Sequence, residues 1–353
     1  MSGKIRVLVV DDSAIVRKLL TEALSPEHDI EVVGTAPDPY VARDKILALE
    51  PDVLTLDIEM PRMDGLTFLR KLMRHRPMPV IVISSLGQAS CEAAVTALRE
   101  GAVEVIAQPG GPYSVGDLRI GLPAKVRAAA RAQVRLPRAP ETAPARPPRT
   151  TTHARAIEER TLVAIGASTG GTEAIEAVLT RLPASVPPIA VVQHIPAGFS
   201  RAFAERLNRV CEFEVREAAD GDALTPGLAL VAPGNYHMLV NRAGSGYRVT
   251  VKDGPLVCYQ RPSVDVLFHS AAKAAGDCGV GVILTGMGSD GAQGLLAMKQ
   301  AGAATIAQDE ATSVVFGMPR EAIRLNAADR VLPLARVASG ITAAIERPAA
   351  VRA

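Results

Sequence analysis

Three aspartates in the N-terminal third of the chain follow short apolar runs that predict buried strands. Asp11 and Asp12 come directly after the first run, and Asp57 comes directly after the third. A single acidic residue in such a place would be read as a turn or helix-capping residue. Three are expected to meet at the carboxyl edge of a parallel sheet, where oxygen ligands suit Mg²⁺. A carboxylate beside that cation can attack phosphorus to form an acyl phosphate, which Ser84 at the end of the fourth run can hydrogen-bond.

A glycine-rich turn, Gly166–Gly171, presents Ser168 within the pattern G-x-S-x-G. Its glycines allow the sharp strand-to-helix turn that exposes a nucleophilic serine. The same kind of turn also cradles phosphates at helix N-termini. Taken alone, the motif therefore predicts a catalytic serine, an anion-binding loop or a plain turn equally well.

A histidine and an aspartate at two further strand ends favour the catalytic serine among these three interpretations. His194 ends the strand that follows Ser168, and Asp290 lies in a loop with three glycines after the run GVGVIL. A lone histidine at a strand end is more often structural. Together, however, the three side chains supply a nucleophile, a general base and a group that orients the base. Their chain order differs from that of α/β-hydrolases, so any shared geometry would be convergent.

The elements that must position these residues alternate between strand and helix in two separate blocks. This alternation predicts an α/β protein with two doubly wound parallel-sheet domains, the first flavodoxin-like and the second Rossmann-like. In the second block, two apolar runs between residues 228 and 252 flank Asn241–Gly246, which predicts an antiparallel hairpin insertion. The expected strands are 5–10, 30–34, 53–56, 79–83 and 103–107 in the first block, and 161–165, 188–193, 279–284 and 304–307 in the second.

Charge divides the chain into three unlike pieces. The formal net charge of +2 over 353 residues averages net −4 in residues 1–124, net +6 in 125–160 and net 0 in 161–353. The middle piece is rich in proline and arginine and has almost no large apolar side chains, so it is expected to be an extended linker. We therefore predict a first domain at 1–124, a linker at 125–160 and a catalytic domain at 161–350.

Composition excludes several classes of protein. The near-neutral total argues against a dedicated nucleic-acid-binding domain, and no aromatic residues are interleaved with the arginines of the linker. The four cysteines are far apart, which argues against a disulfide framework or a cysteine-bound metal. No apolar run approaches the length of a membrane span. We expect a soluble cytoplasmic protein that is not embedded in a membrane.

Residues 4–124 resemble the receiver domain of two-component response regulators, through VVDDS, LDIEMPRMDG, ISS and VEVIAQP. The resemblance implies that a histidine kinase phosphorylates Asp57. It also implies that Asp11, Asp12, Asp57 and the backbone carbonyl of Glu59 bind Mg²⁺. One position departs from the family, which places a lysine where this chain has Gln108. Glutamine can donate a hydrogen bond to a phosphoryl group but brings no charge, which puts the conformational signal in doubt.

Residues 161–345 resemble the catalytic domain of the chemotaxis protein-glutamate methylesterases. The residues named above, together with QHIPAGFS, VAPGNYHM and RPSVDVLF, carry the resemblance. It implies hydrolysis of glutamate methyl esters on the cytoplasmic helices of chemoreceptors, often with deamidation of receptor glutamines. It assigns Ser168 as nucleophile, His194 as base and Asp290 as its orienter, with no cofactor for the esterase. Thr169 and the Met287 backbone N–H are implied to shape the active site and oxyanion hole.

Three alternatives remain at this stage. The esterase could serve another two-component signalling pathway, or the chain could be a binding module whose esterase fold is inactive. A transcriptional regulator is a third alternative, but it would need a compact basic output domain, whereas residues 161–353 are neutral and show an α/β pattern. A complete serine, histidine and aspartate set favours the enzyme.

Overall fold

The structure, a computed structural model, describes residues 3–108, 112–134 and 160–346. By internal contacts the chain divides into two compact units, Met1–Pro137 and Arg138–Ala353. Each unit is built around its own sheet. None of the helices in the described ranges combines the length and apolar character needed to cross a bilayer.

The first unit is a parallel sheet with helices between consecutive strands. Its described elements are β1 (Ile5–Val10), α1 (Ala14–Leu24), β2 (Ile30–Ala36), α2 (Pro39–Leu49), β3 (Val53–Asp57), α3 (Gly65–His75), β4 (Val80–Ser84), α4 (Gln88–Arg99), β5 (Glu104–Ala107) and α5 (Pro112–Ala130). The strand order is β2-β1-β3-β4-β5, and every described pair is parallel. Strands β3 and β4 are buried along their whole length, as expected of apolar strands covered on both faces. The flavodoxin-like expectation is confirmed.

Helix α5 continues to Ala130 and so extends past residue 125, where the linker is predicted to begin. Arg127, assigned from composition to the linker, donates hydrogen bonds to the carboxylates of Asp29 and Glu27 in the first unit. Alanines in the same stretch are buried against that unit, so this part of the segment is anchored although its sequence looks polar. The rest of the predicted linker, 135–159, lies outside the described residues.

The second unit contains a parallel sheet and a smaller antiparallel one. Its described elements are β6 (Leu162–Ala167), α6 (Gly171–Leu179), β7 (Ile189–Gln193), α7 (Phe199–Val210), β8 (Glu214–Glu217), β9 (Ala223–Leu224), β10 (Leu228–Val231), β11 (His237–Ala243), β12 (Gly246–Lys252), α8 (Val264–Ala275), a 3₁₀ turn (Gly276–Cys278), β13 (Gly279–Ile283), α9 (Ala292–Gln300), β14 (Ala304–Gln308), α10 (Met318–Arg324), β15 (Arg330–Leu332) and α11 (Leu334–Ile345). The large sheet has the order β15-β14-β13-β6-β7-β10-β8. The predicted hairpin is formed by β11 and β12, and β9 pairs with β12.

Both sheets place the candidate residues where the direction of winding reverses. In the first sheet the chain moves from β1 outward to β2 and then returns to β3 on the other side of β1. In the second, β6 leads to β7 on one side, while β13 lies on its other side and leads to β14. Neighbouring loops diverge at such a point and leave a crevice at the carboxyl ends of the strands. This is where ligands bind in open α/β sheets.

Candidate active site and candidate metal centre

The aspartates of the first unit meet in an acidic cluster at the ends of β1 and β3. One carboxylate oxygen from each of Asp11, Asp12 and Asp57 lies within 4.8 Å of the others. Asp11 and Asp57 are buried, while Asp12 is exposed. Backbone N–H groups bind one oxygen of each buried carboxylate, at 2.9 Å from Ser13 to Asp11 and at 3.0 Å from Glu59 to Asp57. The buried Oδ2 of Asp11 has no hydrogen-bond partner.

The electrostatics of this cluster favour a bound cation. Burial is the main cause that raises the pKa of Asp57 to about 7, and the neighbouring carboxylates of Asp11 and Asp12 contribute to the same shift. Burial also raises the pKa of Asp11 to about 6, with a contribution from Asp12. Carboxylates held this close, one of them with an unpartnered buried oxygen, fit the oxygen-rich donor set of Mg²⁺.

Glu59, Ser84 and Gln108 lie at or just beyond the carboxyl ends of β3, β4 and β5. The buried Ser84 hydroxyl donates to the backbone carbonyl of Ser90 at 3.1 Å. The Glu59 carboxylate accepts hydrogen bonds from the hydroxyls of Ser85 and Ser90, which ties the loop after β3 to the start of α4. Gln108 directly follows β5 and its N–H donates to the Ser84 carbonyl at 2.8 Å.

Lys125 does not stand in for the lysine that Gln108 replaces. Its ammonium lies 3.0 Å from the carboxylate of Glu104, at the first residue of β5. Gln108 follows the opposite end of that strand. The charge missing at Gln108 is therefore not supplied by this lysine.

In the second unit, Ser168 stands in a tight turn directly after β6. Its N–H donates to the Thr285 carbonyl at 3.0 Å, and its carbonyl accepts from the Gln193 side chain at 2.8 Å. Gly170 has φ of +74°, a left-handed conformation that favours glycine. A Cβ on Gly171 would lie 2.1 Å from the Gln193 side-chain oxygen. The glycines of the motif are therefore required by backbone conformation and by close packing around the serine.

His194 and Asp290 form a buried hydrogen-bonded pair. The Nε2 of His194 lies 2.7 Å from the Oδ2 of Asp290, and both side chains are almost completely buried. Since the carboxylate accepts from Nε2, the Nδ1 atom carries the lone pair, and it has no hydrogen-bond partner in the protein. In chymotrypsin-type triads the acid binds Nδ1 instead and Nε2 serves as the base. In this site Nδ1 is the nitrogen available to accept a proton.

Asp290 is held in its charged form by several donors. Burial acts against the anion, but the hydrogen bond and charge of His194, with the Ser263 hydroxyl and the Asp265 N–H, keep the pKa of Asp290 below its usual value. Val264 adds a backbone N–H at 2.7 Å. A carboxylate that stays ionised can fix the histidine tautomer and stabilise an imidazolium.

Thr169 and Met287 lie on the two loops that flank Ser168. The Thr169 carbonyl accepts from the Thr285 hydroxyl at 3.0 Å, which joins those loops. A Cβ on Gly286 would lie 2.6 Å from the Ser168 Cβ, so the loop that carries Met287 packs directly against the serine. The two loops therefore pack against each other beside the serine.

The sequence reasoning missed Gln193 and Ser263, which both contact the candidate triad. Gln193 precedes His194 and reaches back to the Ser168 turn, and Ser263 donates to Asp290. A signal for Ser263 was present, because a serine before an apolar helical run predicts an N-cap. Its bond to a residue 27 positions away in sequence could not be read from local pattern.

Fold and site together define a class of protein. The first unit has the strand order and acidic cluster typical of a phosphoryl-accepting receiver domain. The second has a serine, a histidine and a buried aspartate at the ends of three adjacent parallel strands, an arrangement typical of serine hydrolases.

Comparison with known proteins identifies the family. The model for the response regulator receiver domain matches residues 7–115, and the model for CheB methylesterase matches residues 163–341. A protein-glutamate methylesterase/protein-glutamine glutaminase of Syntrophus aciditrophicus is 57% identical over 96% of this chain and 98% of its own length. One of Salmonella typhimurium is 52% identical over 99% of each chain. The crystal structure of the Thermotoga maritima CheB methylesterase catalytic domain, 37% identical, matches with a TM-score of 0.50 over 51% of this chain and 96% of that one. The chain belongs to the CheB methylesterase family and is a carboxylic ester hydrolase with a receiver domain.

Proposed function

We propose that the chain hydrolyses glutamate γ-methyl esters on the cytoplasmic domains of chemoreceptors, and so acts in chemotactic adaptation in the cytoplasm. The observation that carries the proposal is the buried His194–Asp290 pair with a free Nδ1, at the same sheet edge as Ser168. The names of the full-length relatives, which are protein-glutamate methylesterases, support glutamate as the esterified residue.

The chemistry follows from the protonation state of the site. The Nδ1 of His194 accepts the Ser168 hydroxyl proton as the Ser168 oxygen attacks the ester carbonyl carbon. The N–H groups of Thr169 and Met287 are proposed to stabilise the resulting oxyanion. As the bond to the methoxy group breaks, His194 returns the proton to the leaving oxygen and methanol departs. Water then attacks the acyl-enzyme by the same route and releases glutamate.

Deamidation of receptor glutamine uses the same steps with a different leaving group. The Ser168 oxygen attacks the side-chain amide carbon, and His194 delivers its proton to the departing nitrogen, so that ammonia leaves instead of methanol. The second half of the names of the relatives, protein-glutamine glutaminase, supports this activity.

Phosphorylation of Asp57 by a histidine kinase is proposed to regulate the esterase. The carboxylates of Asp11, Asp12 and Asp57, with the Glu59 backbone carbonyl, would hold Mg²⁺, which when bound neutralises charge on the carboxylates and the incoming phosphoryl group. Ser84 would leave the Ser90 carbonyl to donate to a phosphoryl oxygen.

Gln108 would contact the same phosphoryl group without adding charge. A neutral amide donor forms a weaker bond to an anion than an ammonium does. The proposed response to phosphorylation is therefore smaller than a lysine at this position would give.

The proposed domains are a receiver, a linker and a catalytic domain, with α5 included in the receiver. The receiver ends at Ala130, where that helix ends. The catalytic domain begins at 161, close to the start of β6, and runs to 350.

Mass spectrometry of receptor peptides tests the assignment of substrate. A peptide that carries one glutamate methyl ester and one glutamine is incubated with the wild-type chain and with Ser168→Ala. We expect a loss of 14 Da at the ester, the mass of one CH₂, and a gain of about 1 Da at the glutamine, with the wild type only. If the peptide stays intact while a simple chromogenic ester is cleaved, the enzyme serves another protein or another signalling pathway.

A further inference from the structure

The first turn of α8 converges on the aspartate of the candidate triad. The Oδ1 of Asp290 accepts from the Ser263 hydroxyl at 2.7 Å and from the Asp265 N–H at 3.0 Å. The Oδ2 accepts from His194 and from the Val264 N–H, each at 2.7 Å. Both carboxylate oxygens are therefore fixed, and three of the four donors come from consecutive residues at one helix end.

The backbone N–H of Ser263 is hydrogen-bonded to a second buried histidine, His237. This N–H donates to the Nδ1 of His237 at 3.2 Å, and the Nε2 of His237 donates to the Pro255 carbonyl at 2.9 Å. Ser263 is completely buried and His237 nearly so. A continuous set of hydrogen bonds thus runs from His237 through Ser263 and Asp290 to His194.

The Ser263 hydroxyl has two partners, of unequal quality. As the N-cap of α8 it accepts from the Val266 N–H at 3.4 Å, which is long for a hydrogen bond. As a donor to the Asp290 carboxylate it makes a bond of 2.7 Å to a charged group. The shorter, charge-assisted bond is the stronger, so the main effect of the hydroxyl falls on Asp290 and not on the helix.

We infer that Ser263 is a positioning residue of the esterase, one that keeps Asp290 on the Nε2 of His194. The inference rests on the proposed function of Ser168, His194 and Asp290. Without the hydroxyl, Oδ1 keeps only the longer bond from the Asp265 N–H at 3.0 Å, so the carboxylate is held less firmly against the histidine. The histidine then samples orientations in which Nδ1 no longer faces the serine.

Substitutions at Ser263 separate this role from that of a helix cap. Glycine is tolerated at an N-cap at a cost of a few tenths of a kcal/mol but brings no hydroxyl. Threonine keeps both the acceptor and the donor. We expect Ser263→Gly and Ser263→Ala to lower kcat on a chromogenic ester about tenfold with KM unchanged, and Ser263→Thr to restore most of it. Ser270→Ala is the matched control, because its hydroxyl also lies on α8 and also has two partners, donating to the Leu267 carbonyl at 2.7 Å and accepting from the Val240 N–H at 3.0 Å.

A double-mutant cycle provides the decisive readout. If Ser263 acts through Asp290, Ser263→Ala has no further effect on kcat in an Asp290→Ala background. Equal kcat for wild type and Ser263→Ala, or a tenfold loss that persists without Asp290, would overturn the inference. Failure of the underlying function looks different, because then Ser168→Ala keeps wild-type activity in the same assay.

Discussion

At the scale of single residues, both sites contain buried polar atoms that the protein leaves without a partner. The Nδ1 of His194 and the Oδ2 of Asp11 are two of the few such atoms in the described residues. Burying a polar atom without a partner costs about 1–3 kcal/mol, so such atoms are uncommon unless something else binds them. That cost would be recovered at His194 when Nδ1 accepts the serine proton, and at Asp11 when Oδ2 binds a cation.

The acidic cluster predicts that the free energy of unfolding of the receiver depends on pH. The folded-state pKa of Asp57, about 7, lies above the usual aspartate value of 3.8. Because folding raises the pKa of Asp57, its contribution to the free energy of unfolding is fully present below pH 3.8 and is lost as the pH rises through about 7. In EDTA at pH 8, Asp57→Asn should therefore stabilise the receiver by on the order of 2 kcal/mol, and much less at pH 5.

Thermal unfolding of the full chain with and without Mg²⁺ measures this effect. Mg²⁺ should raise the receiver transition of the wild type more than that of Asp57→Asn. If the unfolding temperature of the receiver changes with neither pH nor Mg²⁺, the carboxylates do not repel one another as described.

Gln108 gives a second test at this scale. Gln108→Lys restores an ammonium beside the proposed phosphoryl group and should increase severalfold the stimulation of esterase activity by a small phosphodonor. Gln108→Met, similar in length and uncharged, is the control and should not increase it. Equal stimulation of the lysine variant and the wild type would mean that charge at this position does not limit the response.

At the scale of elements, the sequence predicted the strands that carry the sites and missed others. The runs before Asp57, Ser168 and Asp290 are continuous and apolar because they are buried on both faces. Strand β8 reads Glu-Val-Arg-Glu and has a single buried residue, so its pattern is too polar and too short to distinguish from a loop. The edge strand β15 has only three residues, none of them fully buried.

Apolar character alone does not define the buried face of a helix. In α1, Ile15 has an exposed fraction of 73%, whereas Val16 and Leu20 are buried. Ile15 precedes Val16 directly, and neighbouring positions on a helix point about 100° apart, which turns Ile15 toward solvent. The contacts between distant loops, such as that of Ser263 with Asp290, lay beyond local pattern altogether.

Close packing between elements predicts the effect of a small substitution. Gly286→Ala would bring a Cβ to 2.6 Å from the Ser168 Cβ and 2.4 Å from the Met318 sulfur. We expect at least a tenfold loss of kcat and a loss of about 1–3 kcal/mol in the free energy of unfolding, because a packed core resists an added methyl group.

Gly246→Ala is the matched control for that variant, since no atom lies within 4 Å of the added Cβ. It should leave kcat unchanged. Activity is compared at a temperature where both variants are fully folded by circular dichroism. Wild-type kcat in Gly286→Ala would show that the Thr285–Met287 loop does not constrain the serine.

At the scale of the whole molecule, the near-neutral charge of +2 conceals a division between an acidic receiver, a basic segment and a neutral esterase. The two family models match the two ends of the chain in the same order. Joining a receiver domain to an esterase in one chain is the arrangement expected of an enzyme switched by phosphorylation.

Activity with and without a small phosphodonor measures that coupling in the full chain. The wild type should hydrolyse ester faster with the phosphodonor and Mg²⁺ than with Mg²⁺ alone. Asp57→Asn should show one rate under both conditions. Two equal rates for the wild type, or the same stimulation of Asp57→Asn, would mean that Asp57 does not control the esterase.

The central claim is that Ser168 cleaves glutamate methyl esters, and methanol release from a methylated receptor cytoplasmic domain tests it most directly. The wild-type chain should release methanol in an amount equal to the esters lost. Ser168→Ala should release none above the uncatalysed rate while it keeps the circular dichroism spectrum and unfolding temperature of the wild type. Undiminished methanol release by a folded Ser168→Ala would contradict the account.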